Sequence, residues 1–162
     1  MVLRSLKEIK SFIAKNEIEH IDLRFTDLFG RWHNLTLPVS GLNRGLLKDG
    51  IGFDGSNFPG FSTVEEGDLC LIPDISSAFI DPLRSEKTIS FIADVVEADT
   101  KRVFKRDPRT ITRKAEDFLK KLGIADRSVW GPEFEFYIFE DVQLVNRGLD
   151  YGYSINPSED FI

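Results

Sequence analysis

The sequence predicts an α+β fold in which an amphipathic helix packs against a β-sheet. Apolar residues recur at helical spacing over about residues 3–15, with charged residues on the opposite face. From residue 20 to residue 25 the pattern changes to strict alternation, which is typical of a half-buried strand. Later runs at residues 69–72, 78–80 and 88–96 are rich in β-prone residues and extend the predicted sheet.

The first two strands form a predicted β-hairpin. The segment Asp27-Leu28-Phe29-Gly30 has the composition of a turn, and residues 31–37 resume the alternation. Pro38 then ends the second strand, because proline has no N–H to donate to the ladder.

Residues 39–67 interrupt the alternating pattern and are predicted to form a long ordered loop. They contain seven of the twelve glycines, with one helical turn near residues 43–48. Long loops in compact domains are usually functional or disordered. The loop keeps Phe53, Phe58 and Phe61, which disordered linkers rarely contain, so we predict order.

The composition is that of a globular protein that does not bind nucleic acid. Of 162 residues, 41% are hydrophobic and the net charge is −6, whereas nucleic-acid binders usually carry a basic face. The basic segment 101–106 is therefore predicted to be a solvated connector. A single cysteine, Cys70, excludes an internal disulfide and fits a reducing compartment. Residues 1–15 contain no continuous apolar run, so we expect a cytoplasmic protein without a membrane segment.

A second helix is predicted after residue 106. Asp107 can cap its N-terminus, Pro108 occupies the first helical position, and Gly123 can end it. Residues 130–139 then form a predicted strand that carries Glu133 and Glu135 on one face. Beyond residue 140 we expect turns and no further helix or strand.

The two glutamates of this predicted strand carry like charges that need a cation, solvent or basic neighbours near them. Carboxylates at i and i+2 lie roughly 6–7 Å apart on a strand and repel each other. Mg²⁺ or a similar hard cation would relieve that repulsion, and so would solvent or basic neighbours. A metal site and a solvated or salt-bridged strand face both remain open from these residues alone. His20 and His33 have no second ligand at zinc spacing and are predicted to be structural.

Several motifs, taken in order, resemble the glutamine synthetase family. Residues 51–57 resemble its Asp-Gly-Ser-Ser loop, continued by Phe61, Glu65-Glu66-Gly67-Asp68 and Pro73-Asp74. Residues 131–136, Gly-Pro-Glu-Phe-Glu-Phe, resemble its Gly-Pro-Glu-x-Glu-Phe strand. The hairpin segments Arg24-Phe25-Thr26-Asp27 and Gly30-Arg31-Trp32 and the helix start Asp107-Pro108-Arg109 are also similar. The resemblance implies a β-grasp-like domain with a mixed sheet over residues 1–104. Residues 105–162 would begin the larger catalytic α/β domain of a type I enzyme, most of which lies outside this sequence.

The resemblance implies ATP-dependent ligation of ammonia to the γ-carboxylate of glutamate through γ-glutamyl phosphate. Glu133 and Glu135 match acids that hold two Mg²⁺ or Mn²⁺ ions, and Glu135 would also lie near the substrate glutamate. Asp54 matches the aspartate that binds ammonium and helps to deprotonate it, with Asp68 as a weaker candidate near the same pocket. The family builds this site between adjacent subunits of a dodecamer.

This sequence departs from the family pattern at two positions, and two other functions remain as alternatives. Asn57 and Gly67 stand where the family commonly has serine, so the nucleophile preference is less defined than metal binding. A relative that ligates glutamate to another amine is one alternative. The other is a non-catalytic β-grasp module that binds a partner or regulates it. The remaining metal ligands and the nucleotide site of the family would lie beyond residue 162, so we expect the 162-residue chain alone to be inactive.

Overall fold

The computed structural model describes residues 2–63 and 67–157. The chain divides into two compact units, an amino-terminal unit of residues 1–127 and a carboxyl-terminal unit of residues 128–162. The predicted domain boundary after residue 104 stays a prediction.

The amino-terminal unit is built on a mixed sheet of six strands. The order is β2-β1-β6-β4-β3, and β5 also pairs with β6. Strand β1 runs parallel to β6, and the other pairs are antiparallel. The bounds are β1 His20–Thr26, β2 Trp32–Pro38, β3 Ile51–Asp54, β4 Asp68–Pro73, β5 Phe79–Ile80 and β6 Thr88–Glu97. The α+β prediction is confirmed, as is the hairpin of β1 and β2.

Helix α1, Leu6–Asn16, covers one face of this sheet. The Ser5 side chain caps it by accepting a hydrogen bond from the Glu8 amide. Ile9 is fully buried, and it joins the core side chains of β1, β4 and β6 in one cluster. Apolar burial of this kind is the main stabilising contribution to such a unit.

The predicted loop 39–67 contains more regular structure than the one helical turn that the sequence indicated. Asn43 caps the short helix α2, Arg44–Asp49, and so confirms the helical turn near 43–48. Strand β3 was missed, because its glycine lowers β propensity and its order depends on pairing with the distant β4. Glu65 and Glu66 lie outside the described residues.

Helix α3, Pro108–Lys121, begins where the sequence predicts it. The Asp107 carboxylate accepts hydrogen bonds from the amides of Arg109 and Thr110, and burial raises the pKa of that carboxyl. Arg109 pairs with Asp74. The first turn of the helix is thus tied to the sheet region by polar contacts. Three large apolar side chains at its surface and end, Ile111, Phe118 and Leu122, are exposed.

The carboxyl-terminal unit contains a two-stranded hairpin. Its strands are β7, Phe139–Arg147, and β8, Asp150–Pro157. The expectation of no strand beyond residue 140 was therefore wrong. The predicted strand 130–139 was also wrong except at Phe139, because the ladder of described residues begins with the pair Phe139 and Pro157. Alternation alone does not make a strand without a hydrogen-bonded neighbour.

Among the described residues, no helix combines the length and the apolar content needed to cross a membrane.

Candidate functional site

Asp54 lies at the end of β3, where the chain leaves the sheet in a single 3-10 turn, Gly55–Asn57. Its side chain is exposed. The Oδ1 atom accepts hydrogen bonds from the Ser56 amide at 2.9 Å and from the Ser56 hydroxyl at 2.7 Å. With both bonds on Oδ1 and the side chain exposed, the carboxylate is oriented and accessible at once.

The same contacts set the protonation state of Asp54. The hydrogen bonds from the Ser56 side chain and then from its backbone hold the pKa of the Asp54 carboxyl below its ordinary value. The group is therefore an anion at neutral pH. Its negative charge attracts a cation, and the lowered pKa makes it a weak proton acceptor.

Gly55 allows this turn to lie directly against β4. Its amide donates to the Gly67 carbonyl at 2.7 Å, and an added Cβ would lie 2.5 Å from Leu69 Cδ1. A side chain here would require Leu69 or the turn to shift. Gly67 contributes through its main chain, so the glycine found in place of the family's serine still supports the turn.

Asp68, the weaker candidate, lies next to Asp54. The two residues are direct partners in the antiparallel ladder of β3 and β4, and both side chains are exposed. Directly opposite residues place their Cβ atoms about 4.5–5.5 Å apart, and like charges at that spacing repel unless a cation lies near them. Asp68 also borders an open cavity of about 500 Å³. The structure thus brings together two residues that are fourteen positions apart in the sequence.

Glu133 and Glu135 occur in a different setting. They belong to the carboxyl-terminal unit, in a segment before β7 that forms neither helix nor strand, and both are exposed. Their carboxylate oxygens are the ligands that Mg²⁺ and Mn²⁺ prefer, so the donor chemistry fits the implied ions. Mg²⁺ takes about six ligands, and within residues 2–63 and 67–157 no group of three acidic, histidine or cysteine side chains could hold a metal.

The histidine and cysteine predictions are resolved by their contacts. His33 Nε2 lies 2.8 Å from Asp27 Oδ2, which is a structural role, as predicted. Cys70 is buried in β4 with only 6% of its surface exposed, as expected for a small core residue. The sequence alone did not indicate that the His33 ring lies 4.6 Å from the ring of Phe58, in the loop after Asp54. The sequence signal was the group of three phenylalanines in residues 39–67, of which Phe58 and Phe61 follow Asp54.

Comparison with known proteins places these features in a family. Residues 17–98 match the model described as glutamine synthetase, beta-Grasp domain. Glutamine synthetase of Azorhizobium caulinodans is 37% identical over 157 residues, which are 97% of this chain and 34% of the relative. The enzyme of Aquifex aeolicus is 40% identical over 137 residues, 85% of this chain and 29% of the relative. That of Escherichia coli K12 is 37% identical over 139 residues, 86% of this chain and 30% of the relative.

Solved structures agree on the fold. A cryoEM structure of Plasmodium falciparum glutamine synthetase matches 98% of this chain and 31% of its own with a TM-score of 0.74 and 21% identity. A complex of GmaS with ADP matches 69% of this chain and 25% of its own, with a TM-score of 0.61 and 23% identity. This chain spans about a third of the length of the curated relatives it matches. The family model covers about half of the chain, residues 17–98, and the chain belongs to the glutamine synthetase family.

Proposed function

We propose that this chain is the amino-terminal part of a glutamine synthetase, which ligates ammonia to the γ-carboxylate of glutamate with ATP. The observation that carries the proposal is the exposed, oriented carboxylate of Asp54, in a segment that resembles the family's Asp-Gly-Ser-Ser loop. The relatives are about three times as long as this chain, which supports a longer protein as the active form.

In the proposed reaction Asp54 binds ammonium, the source of the nucleophile. Ammonium carries one positive charge and four N–H donors, so a carboxylate with a lowered pKa binds it at neutral pH. The neighbouring charge of Asp68 increases the attraction. The bound ammonium passes one proton to a base, Asp54 or water, and becomes ammonia. Its lone pair attacks the γ-carbonyl of γ-glutamyl phosphate, the bond from that carbon to the phosphate oxygen breaks, and the nitrogen releases a second proton to leave the amide. The lowered pKa supports binding more strongly than proton acceptance as the task of Asp54.

Glu133 and Glu135 are the residues of this chain that would hold Mg²⁺ or Mn²⁺. When bound, such ions neutralise phosphate charge during transfer from ATP. Two carboxylates supply too few ligands for a metal pair, so the remaining ligands and the ATP site come from the rest of the proposed protein. We therefore expect the 162-residue chain to form no γ-glutamyl hydroxamate by itself.

The proposed active form is a homo-oligomer with the site between adjacent subunits, as the family resemblance implies. The loop of Asp54 in one subunit would then face the Glu133 segment of its neighbour, in a dodecamer. Light scattering tests the assembly. A monomeric 162-residue chain together with an oligomeric longer protein would assign ring formation to the downstream sequence. The single cysteine supports a reducing, cytoplasmic location for the proposed enzyme.

The experiment is steady-state kinetics of the longer protein and its Asp54→Asn variant. We expect the KM for ammonium to rise by about tenfold or more, because the hydrogen-bonded charge is lost. The KM for glutamate should stay within about twofold. The matched control is Asp49→Asn, at the end of α2.

Three results would contradict the proposal. Preference for a larger amine over ammonia would favour the amine-ligase alternative. Absence of any ligase activity in the longer protein would favour a binding module. An unchanged KM for ammonium in Asp54→Asn would remove Asp54 from the site.

A further inference from the structure

The turn that carries Asp54 ends at Phe58, and that side chain is set in a cluster of rings. The Phe58 amide donates to the Gly55 carbonyl at 3.1 Å and so closes the turn. The Phe58 ring is half-buried, and its centroid lies within 4.6–6.1 Å of four others, those of His33, Phe25, Phe53 and Phe61. The shortest of these separations, 4.6 Å, is to His33 in an edge-on arrangement, which is a favourable geometry for aromatic pairs.

His33 is itself held in place from the other side. Its Nε2 lies 2.8 Å from Asp27 Oδ2, and a carboxylate can only accept, so Nε2 is the donor. Asp27 is 1% exposed, and its Oδ1 accepts from the amides of Phe29 at 2.8 Å and Arg31 at 3.0 Å. The hairpin turn therefore fixes Asp27, Asp27 fixes the imidazole, and the imidazole packs against Phe58.

We infer that His33 is a positioning residue for the ammonium-binding carboxylate, acting through Phe58 and the turn that Phe58 closes. Only three residues separate Asp54 from Phe58, and a closing hydrogen bond spans them, so displacement of the Phe58 ring moves the turn. The orientation of Asp54 thereby depends on a histidine that does not touch it. The choice of ammonium as the ligand rests on the proposed function, whereas the link from His33 to the turn does not.

The first test measures amide hydrogen exchange by NMR in the 162-residue chain. In His33→Ala we expect exchange at Ser56 and Phe58 to become about tenfold faster, the scale of one lost aromatic contact. Amides of the central strand β6 should keep their protection. His33→Phe retains a ring and should recover most of the protection. His20→Ala, which alters the other histidine of the same hairpin, should leave Ser56 and Phe58 unchanged.

Two results would overturn the link between His33 and the turn. One is unchanged exchange at Ser56 and Phe58 in His33→Ala. The other is an equal increase in His20→Ala, which would mean general loosening of the hairpin. If His33→Ala does not fold, Phe58→Leu removes the ring on the other side of the same contact and should give the same faster exchange at Ser56.

The second test separates this inference from the proposed function. In the longer protein, His33→Ala should raise the KM for ammonium severalfold and leave the KM for glutamate unchanged, and His33→Phe should restore it. Faster exchange with an unchanged KM for ammonium would support His33 as the anchor of the turn and contradict ammonium as the ligand of Asp54. A rise in both KM values would overturn the specific role of His33.

Discussion

The two acidic sites of this chain belong to units that differ in how much of their side-chain surface is buried. Asp54 leaves a strand of the amino-terminal unit, whose core contains side chains such as Phe91 at 1% and Leu71 at 0% exposure. Glu133 and Glu135 lie in the carboxyl-terminal unit, where every described side chain is exposed. Both regions have aromatic and β-branched residues, yet only one buries them. Segments of similar composition therefore form a folded platform with a buried core where several strands pair. Where only two strands pair, they form a hairpin of marginal stability.

Core truncation should expose this contrast most strongly. Phe91→Ala in β6 removes a buried ring and should lower the free energy of unfolding by about 3–5 kcal/mol. Leu144→Ala in β7, where the side chain is 79% exposed, should change it by less than about 0.5 kcal/mol. Urea denaturation can be followed by the fluorescence of Trp32, which is the remaining tryptophan in a Trp130→Phe background. Equal losses for the two variants would abolish the distinction between the units.

Two glycines with positive φ give a smaller version of the same contrast. Gly50 has φ 75° and ψ −165°, and an added Cβ would lie 2.5 Å from the Leu71 carbonyl oxygen. Gly50→Ala should lower the free energy of unfolding by about 2–4 kcal/mol, through backbone strain and overlap. Gly148, at φ 62° with open space around it, is the control. Gly148→Ala should leave the unfolding of the amino-terminal unit unchanged, and a loss similar to that of Gly50→Ala would contradict this.

Acid should weaken the amino-terminal unit through Asp27. The hydrogen bond from His33 holds the pKa of the Asp27 carboxyl below its ordinary value of 3.8. A depressed folded pKa gives a stabilising contribution that is present above about pH 3.8 and is lost as pH falls through the folded pKa. Asp27→Asn should therefore be less stable than the natural chain at pH 7, with a difference that shrinks toward pH 2.

Urea midpoints measured from pH 7 to pH 2 test the Asp27 prediction. The matched control is Asp150→Asn, at the first residue of β8 in the carboxyl-terminal hairpin. Its urea midpoint should equal that of the natural chain at every pH. A difference between Asp27→Asn and the natural chain that grows as the pH falls would reverse the sign of the linkage and contradict the assigned hydrogen bond.

The smallest effect is expected at the surface of α3. Arg113 Nη1 lies 2.8 Å from Asp94 Oδ1, and the Arg113 side chain is 46% exposed. Exposed ion pairs contribute about 0.2–1 kcal/mol, so Arg113→Ala should lower the free energy of unfolding by that amount and less in high salt. Lys114→Ala, at the next exposed position, is the control. A loss comparable to that of Phe91→Ala would show that polar ties, rather than the core, hold the amino-terminal unit together.

Features that depend on local chemistry were predictable from the sequence. Asp107 and Pro108 mark the start of α3 through capping and a fixed φ, and neither requires a distant partner. The hairpin of β1 and β2 was equally predictable, because its turn residues and its alternating apolar and polar residues are contiguous in the sequence. The phenylalanines of residues 39–67 indicated order, and the described part of that segment contains α2, β3 and a 3-10 turn.

The features that the sequence analysis missed depend on contacts between distant segments. Strand β3 owes its structure to β4, which lies across a long glycine-rich segment, and its own residues Ile51 and Gly52 give little signal. The stretch around Glu133 alternates like a strand, but the ladder begins only at Phe139. The contact of His33 with Phe58 joins two segments 25 positions apart, and neither residue indicates the other in the sequence.

Residue-resolved amide hydrogen exchange on the 162-residue chain compares the two acidic sites most directly. The Ser56 amide, bonded to Asp54 at 2.9 Å, and the amides of β6 should exchange slowly, because they belong to the unit with the core. Amides of residues 133–137 should exchange at nearly the rate of an unstructured peptide. Slow exchange at Glu133 and Glu135 with fast exchange at Ser56 would contradict the central claim that the folded platform of this chain supports Asp54.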